Sequence, residues 1–154
     1  MFPEEESEKK KTKAVALGKP AAGQCLCGKV VFEIDVPARW AWHDHSPSSR
    51  RAHGAAYATY VGSWRKRFRI TRGKTSITRY EDAKTKTARS FCASCGTPIF
   101  SEPQGGAIWV VKAGTLDDPS WLKLGGNVYT KSAQPWAHID PNLVQFEKMP
   151  PGAS

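Results

Sequence analysis

The four cysteines of this 154-residue chain occur in two close pairs, and a glycine follows each pair directly. Thiolates two or three residues apart at a glycine turn can point at one ion, and two such pairs supply the four soft ligands of a closed tetrahedral zinc site. A closed site leaves no open position for a substrate. The spacing therefore predicts one structural zinc ion, bound by Cys25, Cys27, Cys92 and Cys95.

Two disulfides, or a redox-active Cys92–Cys95 pair, are alternative uses of these cysteines. Disulfides persist in oxidising compartments. The N-terminus has acidic and then lysine-rich residues where an export signal would be apolar, and no apolar run is long enough to span a membrane. We therefore expect a cytoplasmic protein with reduced thiols. A redox pair would leave Cys25 and Cys27 without an explanation.

The formal charge of +9 is concentrated in one part of the chain. Residues 50–89 contain twelve Arg or Lys and only two acids. A local field of that sign attracts phosphates, anionic peptides or carboxylate metabolites. A solvated basic face that aids solubility explains the same residues and is the preferred interpretation.

Alternating apolar and polar residues between Gly and Pro turns predict an all-β fold. Val30, Phe32, Ile34 and Val36 share one face of the clearest strand. We find no amphipathic helix. Further strands are expected near 57–61, 68–70, 76–80, 97–100, 107–113 and 127–130, with 76–80 returning from a turn at Gly73 and 107–113 covered on both faces.

The chain is long enough for one domain with a core. Residues 1–21 have clustered charges without apolar periodicity, which is typical of a disordered arm. We expect the folded, zinc-binding domain over 22–148 and a Pro/Gly-rich tail over 149–154.

Four segments resemble the motifs of a known family. The chain is similar to the glutathione-dependent formaldehyde-activating enzyme (Gfa) and centromere protein V (CENP-V) family over about residues 22–148. The resemblance implies a β-tent of mainly antiparallel sheets, closed by the four-cysteine zinc site. The segments that carry it are Gly23-Gln24-Cys25-Leu26-Cys27-Gly28-Lys29-Val30, Ser90-Phe91-Cys92-Ala93-Ser94-Cys95-Gly96-Thr97-Pro98-Ile99, Ala113-Gly114-Thr115-Leu116-Asp117-Asp118-Pro119 and Ser132-Ala133-Gln134-Pro135-Trp136.

The resemblance also implies a second, catalytic zinc ion, held in the family by a Cys-His-Cys-Ser-x-Cys-Arg motif before a Gly-Ala. In this chain His45 and Arg50 are kept, whereas Asp44, Ser46 and Ser49 stand where the family has cysteines. Serine hydroxyls do not ionise at neutral pH and are weak zinc donors. We therefore expect no second ion and assign no catalytic residue in this degenerate site.

A three-histidine zinc site is the alternative that could rescue catalysis. His43 and His45 would face one side of a strand, and His53 could join them. Ordinary surface histidines, hydrogen-bonded to backbone or water, are the preferred interpretation. A nucleophilic pair of Ser46 or Ser49 with His45 is weaker still, because Pro47 indicates an irregular loop.

The tryptophans divide into two predicted groups. Trp109 and Trp136 are expected to pack in the core, where an indole N–H finds a carbonyl. Trp40, Trp42 and Trp64 are left as candidates for a pocket or its rim.

The preferred functional prediction is a zinc-stabilised binding module for a glutathione-like or other anionic or thiol ligand. The first alternative, implied by the resemblance, is a carbon–sulfur lyase acting on glutathione–aldehyde adducts such as S-hydroxymethylglutathione, with Arg50 gripping a carboxylate. The second alternative is nucleic-acid association through the basic segment 50–89.

Overall fold

The computed structural model describes residues 18–151. The predicted domain limits stay predictions, because the arm and the tail depend on residues outside this range. The described chain forms eleven strands and one α-helix. These are β1 (Ala21–Gln24), β2 (Val31–Ile34), β3 (Trp40–Asp44), α1 (Pro47–His53), β4 (Ala58–Trp64), β5 (Phe68–Arg72), β6 (Ile77–Asp82), β7 (Thr87–Cys92), β8 (Pro98–Pro103), β9 (Ile108–Lys112), β10 (Gly126–Val128) and β11 (Val144–Gln145).

The strands form two sheets. The smaller has the order β1-β2-β5, and the larger has the order β11-β10-β3-β4-β9-β8-β7-β6. Most neighbours are antiparallel, while β10 runs parallel to both β3 and β11. The predicted fold, built mainly from short antiparallel strands, is confirmed.

The core lies between the two sheets. Phe32, Ile34 and Phe68 of the small sheet are buried in the same cluster as Val61 and Val111 of the large sheet. The alternation predicted for the clearest strand is therefore confirmed. Burial of such apolar surface stabilises the fold by roughly 25 cal/mol per Å².

The other face of the large sheet carries a second apolar cluster, which includes Trp42, Tyr60 and Val128. The strand register places Trp42 opposite Tyr60, and Tyr60 opposite Lys112. Directly paired residues on adjacent strands point to the same face. This second face therefore brings Trp42, Tyr60 and Lys112 side by side.

The expected hairpin between 68–70 and 76–80 is wrong. The turn at Gly73, with φ 79°, exists, but β5 pairs with β2 while β6 pairs with β7 at the edge of the large sheet. The physical reason is burial. Phe68 belongs to the core between the sheets, whereas β6 is mostly exposed and has no apolar face to place beside β5.

The irregular loop expected around Pro47 is also wrong, because these residues form α1. The Ser46 side chain caps the helix by accepting from the Ser49 N–H, and Pro47 lies in the first turn, where its missing N–H costs nothing. Gly54 ends the helix in the left-handed region at φ 59°. The seven residues of α1 have no apolar stripe, so the sequence contains no helical periodicity that would predict this helix.

Of the two tryptophans predicted to lie in the core, one does and one does not. Trp109 packs against the core, as predicted. Trp136 is 71% exposed, so its core assignment is wrong; it lies in a turn, where no strand face is available to cover it. Trp64 lies under the guanidinium of Arg39, whose Cζ is 5.0 Å from the ring centroid. Within residues 18–151, no helix has the length and apolar character needed to cross a membrane.

Candidate functional site

The structure brings the four cysteine sulfurs together. All four lie within 4.8 Å of one another, and Cys27 Sγ is 3.6 Å from Cys25 Sγ and 3.7 Å from Cys92 Sγ. A tetrahedral zinc site with Zn–S bonds of about 2.3 Å has sulfur–sulfur edges of about 3.8 Å. The donor set and its dimensions therefore fit a metal ion such as zinc.

Glycine makes each cysteine turn possible. Gly28 and Gly96 have φ values of 77° and 78°, a region that residues with a Cβ rarely adopt. Their N–H groups donate to the carbonyls of Cys25 and Cys92, at 3.1 and 2.8 Å. The turn after β1 is thus closed across three residues and the turn after β7 across four, and each presents two sulfurs.

Thr97 links the two turns. Its hydroxyl accepts from the Leu26 N–H at 3.0 Å and lies 3.2 Å from Cys95 Sγ. Hydrogen bonds from the Thr97 side chain and then its backbone lower the pKa of Cys95 to about 5. Cys95 is thus a thiolate at neutral pH, which is the form that binds metal.

The residues at the degenerate second site form the start of α1. The Ser46 N–H donates to Asp44 Oδ1 at 2.8 Å, and the Ser49 N–H donates to Ser46 Oγ at 3.3 Å. Ser49 Oγ lies 2.7 Å from the hydroxyl of Tyr60. Asp44, Ser46 and Ser49 are all buried. Their oxygens thus serve hydrogen bonds that hold the helix against β4.

Each of the three histidines has its own hydrogen-bond partner. His43 and His45 both contact the ring of Tyr57, whereas His53 contacts the ring of Tyr60. Across residues 18–151, only the four cysteines form a group of three or more candidate ligands close enough for one ion. Hydrogen bonds join His43 Nδ1 to Thr59 Oγ1 at 2.9 Å, His45 Nε2 to Asn127 Oδ1 at 2.8 Å and His53 Nδ1 to the Ser49 carbonyl at 2.7 Å.

A cavity of about 910 Å³ lies on the second face of the large sheet. Trp40 and Trp42 line it, with ring centroids 3.7 Å apart. Other lining residues include Asp44, Ser46, Ser49, Tyr60, Arg89, Ser101, Lys131, Glu147, Lys148 and Met149.

His45, Arg50 and Trp64 are absent from the residues that line this cavity. His45 is fully buried against Asn127. Arg50 donates through Nη1 to the side-chain oxygen of Gln134 at 2.9 Å, with that amide oriented to accept. Of the predicted candidates, Asp44, Ser46 and Ser49 therefore face the cavity, together with two of the three candidate tryptophans.

Sequence reasoning missed Lys112, the last residue of β9. Its Nζ donates to Ser101 Oγ and lies 4.3 Å from the centroid of the Tyr60 ring. Burial, followed by repulsion from Arg89, lowers the pKa of Lys112 well below its usual value, while Asp44 opposes the shift. A signal was present in the sequence, because a lysine ends a strand expected to be covered on both faces.

Two β-sheets joined at a four-cysteine group, with a separate cavity on the large sheet, define a β domain whose cysteines could hold a metal ion. The family model of the glutathione-dependent formaldehyde-activating enzyme matches residues 20–132. The chain therefore belongs to the Gfa family.

Comparison with solved structures supports the same architecture. A structural-genomics crystal structure of a Rhodobacter sphaeroides protein is similar with a TM-score of 0.54 and 22% sequence identity, over 62% of this chain and 87% of that one. At this identity the likeness concerns the fold alone. A search of curated proteins finds no significant match.

Proposed function

We propose that this Gfa-family protein holds one structural zinc ion on its four cysteines and binds a small anionic or thiol ligand in the cavity, without the carbon–sulfur chemistry of its family. One observation carries the proposal. Asp44, Ser46 and Ser49 occupy the positions where the resemblance implies zinc-binding cysteines, and their oxygens are hydrogen-bonded into the start of α1. One carboxylate and two hydroxyls that already make these hydrogen bonds are poor replacements for three thiolates.

The charge and surface of the cavity support an anionic ligand. Arg89, Lys131 and Lys148 line it together with two acids, Asp44 and Glu147. None of the ion pairs within 4.0 Å formed by residues 18–151 includes Arg89. The Trp40 and Trp42 rings add an apolar wall. A ligand with a carboxylate and a short apolar portion matches both features.

Metal analysis and calorimetry test the proposal together. We expect one zinc ion per chain and saturable binding of glutathione that Arg89→Gln weakens by at least about tenfold, since losing a charge-assisted pair costs about 1.5–3 kcal/mol. Arg51→Gln is the matched control, because Arg51 is exposed on α1. Two zinc ions per chain, or no binding of glutathione or S-hydroxymethylglutathione, would overturn it.

Carbon–sulfur lyase activity on glutathione–aldehyde adducts is the second candidate, supported by the family match. Its test is the rate at which glutathione and formaldehyde form S-hydroxymethylglutathione, followed by NMR. Our proposal expects the uncatalysed rate. Acceleration that disappears in His45→Ala while the zinc content is unchanged would establish the lyase instead.

Nucleic-acid association through 50–89 is a weaker proposal. Arg69 of this segment is already in ion pairs with Glu33 and Asp35, and Arg79 is in an ion pair with Glu102 of β8, which reduces the local excess of positive charge. Binding to random duplex DNA with a steep salt dependence would favour this function.

A further inference from the structure

We propose that Lys112 is a nucleophilic amine that condenses with the carbonyl carbon of a small oxo acid, an aldehyde or ketone that also carries a carboxylate. The proposal rests on the anionic ligand proposed above and names its chemical class. It assigns to the cavity a reversible covalent step that needs no metal ion.

The position of Lys112 makes this step possible. Only 5% of the residue is exposed, and its Nζ contacts Ser101 and Tyr60. Both of these residues line the cavity, whereas Lys112 itself does not, so the amine lies directly behind the cavity wall and a ligand reaches it when the Ser101 or Tyr60 side chain moves aside. No ion pair within residues 18–151 places a carboxylate within 4.0 Å of it. A buried ammonium without a paired anion is costly, which favours the neutral amine.

The surrounding charges act in opposite directions. Arg89 lies close enough to lower the pKa of Lys112 further, and the smaller effect of Asp44 opposes it. His53 faces the same region, and burial is the main cause that lowers its pKa. Burial raises the pKa of Tyr60. A lysine that is desolvated and placed beside another cation is an activated nucleophile.

Arg89 supplies the second recognition element. It is half-buried, lines the cavity and lies close enough to Tyr60 to lower the pKa of that hydroxyl, against the larger effect of burial. A guanidinium can hold a carboxylate with two parallel hydrogen bonds. A ligand whose carbonyl carbon is adjacent to its carboxylate can contact Arg89 and Lys112 together. An oxo acid has this arrangement.

The step balances without an oxidant or reductant. The Nζ lone pair attacks the carbonyl carbon, and the carbonyl oxygen takes a proton while the nitrogen loses one. The resulting carbinolamine loses water to form a carbon–nitrogen double bond. One amine and one carbonyl thus give one imine and one water, and the reverse reaction releases the ligand.

Reductive trapping on the zinc-loaded full chain tests the proposal. Glyoxylate is added near neutral pH with sodium cyanoborohydride, which reduces the imine to a stable carboxymethyl-lysine, and peptide mapping locates the label. We expect Lys112 to be labelled at least about tenfold faster than Lys131 or Lys148, since each unit of lowered pKa raises the neutral fraction about tenfold. Acetaldehyde, which has no carboxylate, serves as the comparison reagent. Arg89→Gln should lower the ratio of glyoxylate labelling to acetaldehyde labelling at Lys112.

Calorimetry with glycolate, which lacks the carbonyl, separates the two proposals. Glycolate binding without preferred labelling of Lys112 overturns the imine and leaves anion binding intact. If acetaldehyde also labels Lys112 preferentially, and Arg89→Gln leaves the ratio of glyoxylate to acetaldehyde labelling unchanged, the amine is reactive but an oxo acid is not its ligand. If glycolate does not bind and labelling is uniform over the lysines, both proposals are wrong. Lys112→Arg, with an unchanged zinc content, should abolish the fast-labelled site.

Discussion

Removing the metal ion from the four-cysteine group is expected to lower the free energy of unfolding by at least about 4 kcal/mol. An ion bound by the four sulfurs would join Cys27 and Cys92, which are 65 residues apart in sequence. If the ion stays bound in the unfolded chain, it acts as a cross-link, and the loop-closure relation for that length gives about 4 kcal/mol. If unfolding releases the ion, the whole binding free energy adds to stability, about 10 kcal/mol or more for such sites.

That lower bound is a large part of the stability of an ordinary domain, about 5–15 kcal/mol. For a chain of this size it corresponds to a fall in Tm of roughly 8–16 °C. The assay is denaturant and thermal unfolding in the presence of a reductant, with the loaded protein, the chelated protein and Cys95→Ser side by side. Leu26→Ser is the matched control: Leu26 lies between Cys25 and Cys27 in the other cysteine turn and is 85% exposed.

One result would refute this reasoning. If metal analysis shows that the ion has gone while the unfolding midpoint is unchanged, the two turns are held without it. The hydrogen bonds from Leu26 to Thr97 and from Lys29 to Ser94, both close to 3 Å, would then be sufficient.

Three further changes probe the cavity face. Ser46→Ala should destabilise the protein by about 1 kcal/mol in urea melts, because it removes the cap of α1; an unchanged midpoint would contradict that role. Gly62→Ala should cost about 1–3 kcal/mol and weaken ligand binding, because the new Cβ would overlap the Trp40 indole. Since the folded-state pKa of His53 is about 4, below its ordinary 6.5, the unfolded chain binds this proton first, and stability should fall as the pH drops from 6.5 towards 4. His53→Gln should flatten that pH dependence, whereas His138→Gln should not, because His138 is exposed.

Features that depend on local spacing were predictable from the sequence. A cysteine pair followed by glycine needs only a turn with positive φ, and both turns form as the spacing indicated. The buried face of β2 follows from strict alternation of Val30, Phe32 and Ile34. The partner of β5 was not predictable in this way, because β2 and β6 are both strands near it and only the packed core decides between them.

The chemistry of the cavity was harder to predict for a similar reason. Asp44, Ser46 and Ser49 could be identified only as replaced positions, and their hydrogen bonds depend on a helix that has no apolar periodicity. The sequence shows that Lys112 ends a covered strand, but its neighbours depend on the register, which sets it beside Tyr60, and on Ser101, which contacts its Nζ from a different strand. Lys112, Tyr60 and Ser101 belong to three different strands, so no single segment of the sequence reveals their contact.

The four cysteines contribute nothing to the lining of the large cavity. The four-cysteine group between β1 and β7 is therefore separate from the cavity, and an exchange of the residues that line the cavity beside α1 leaves the four sulfurs in place.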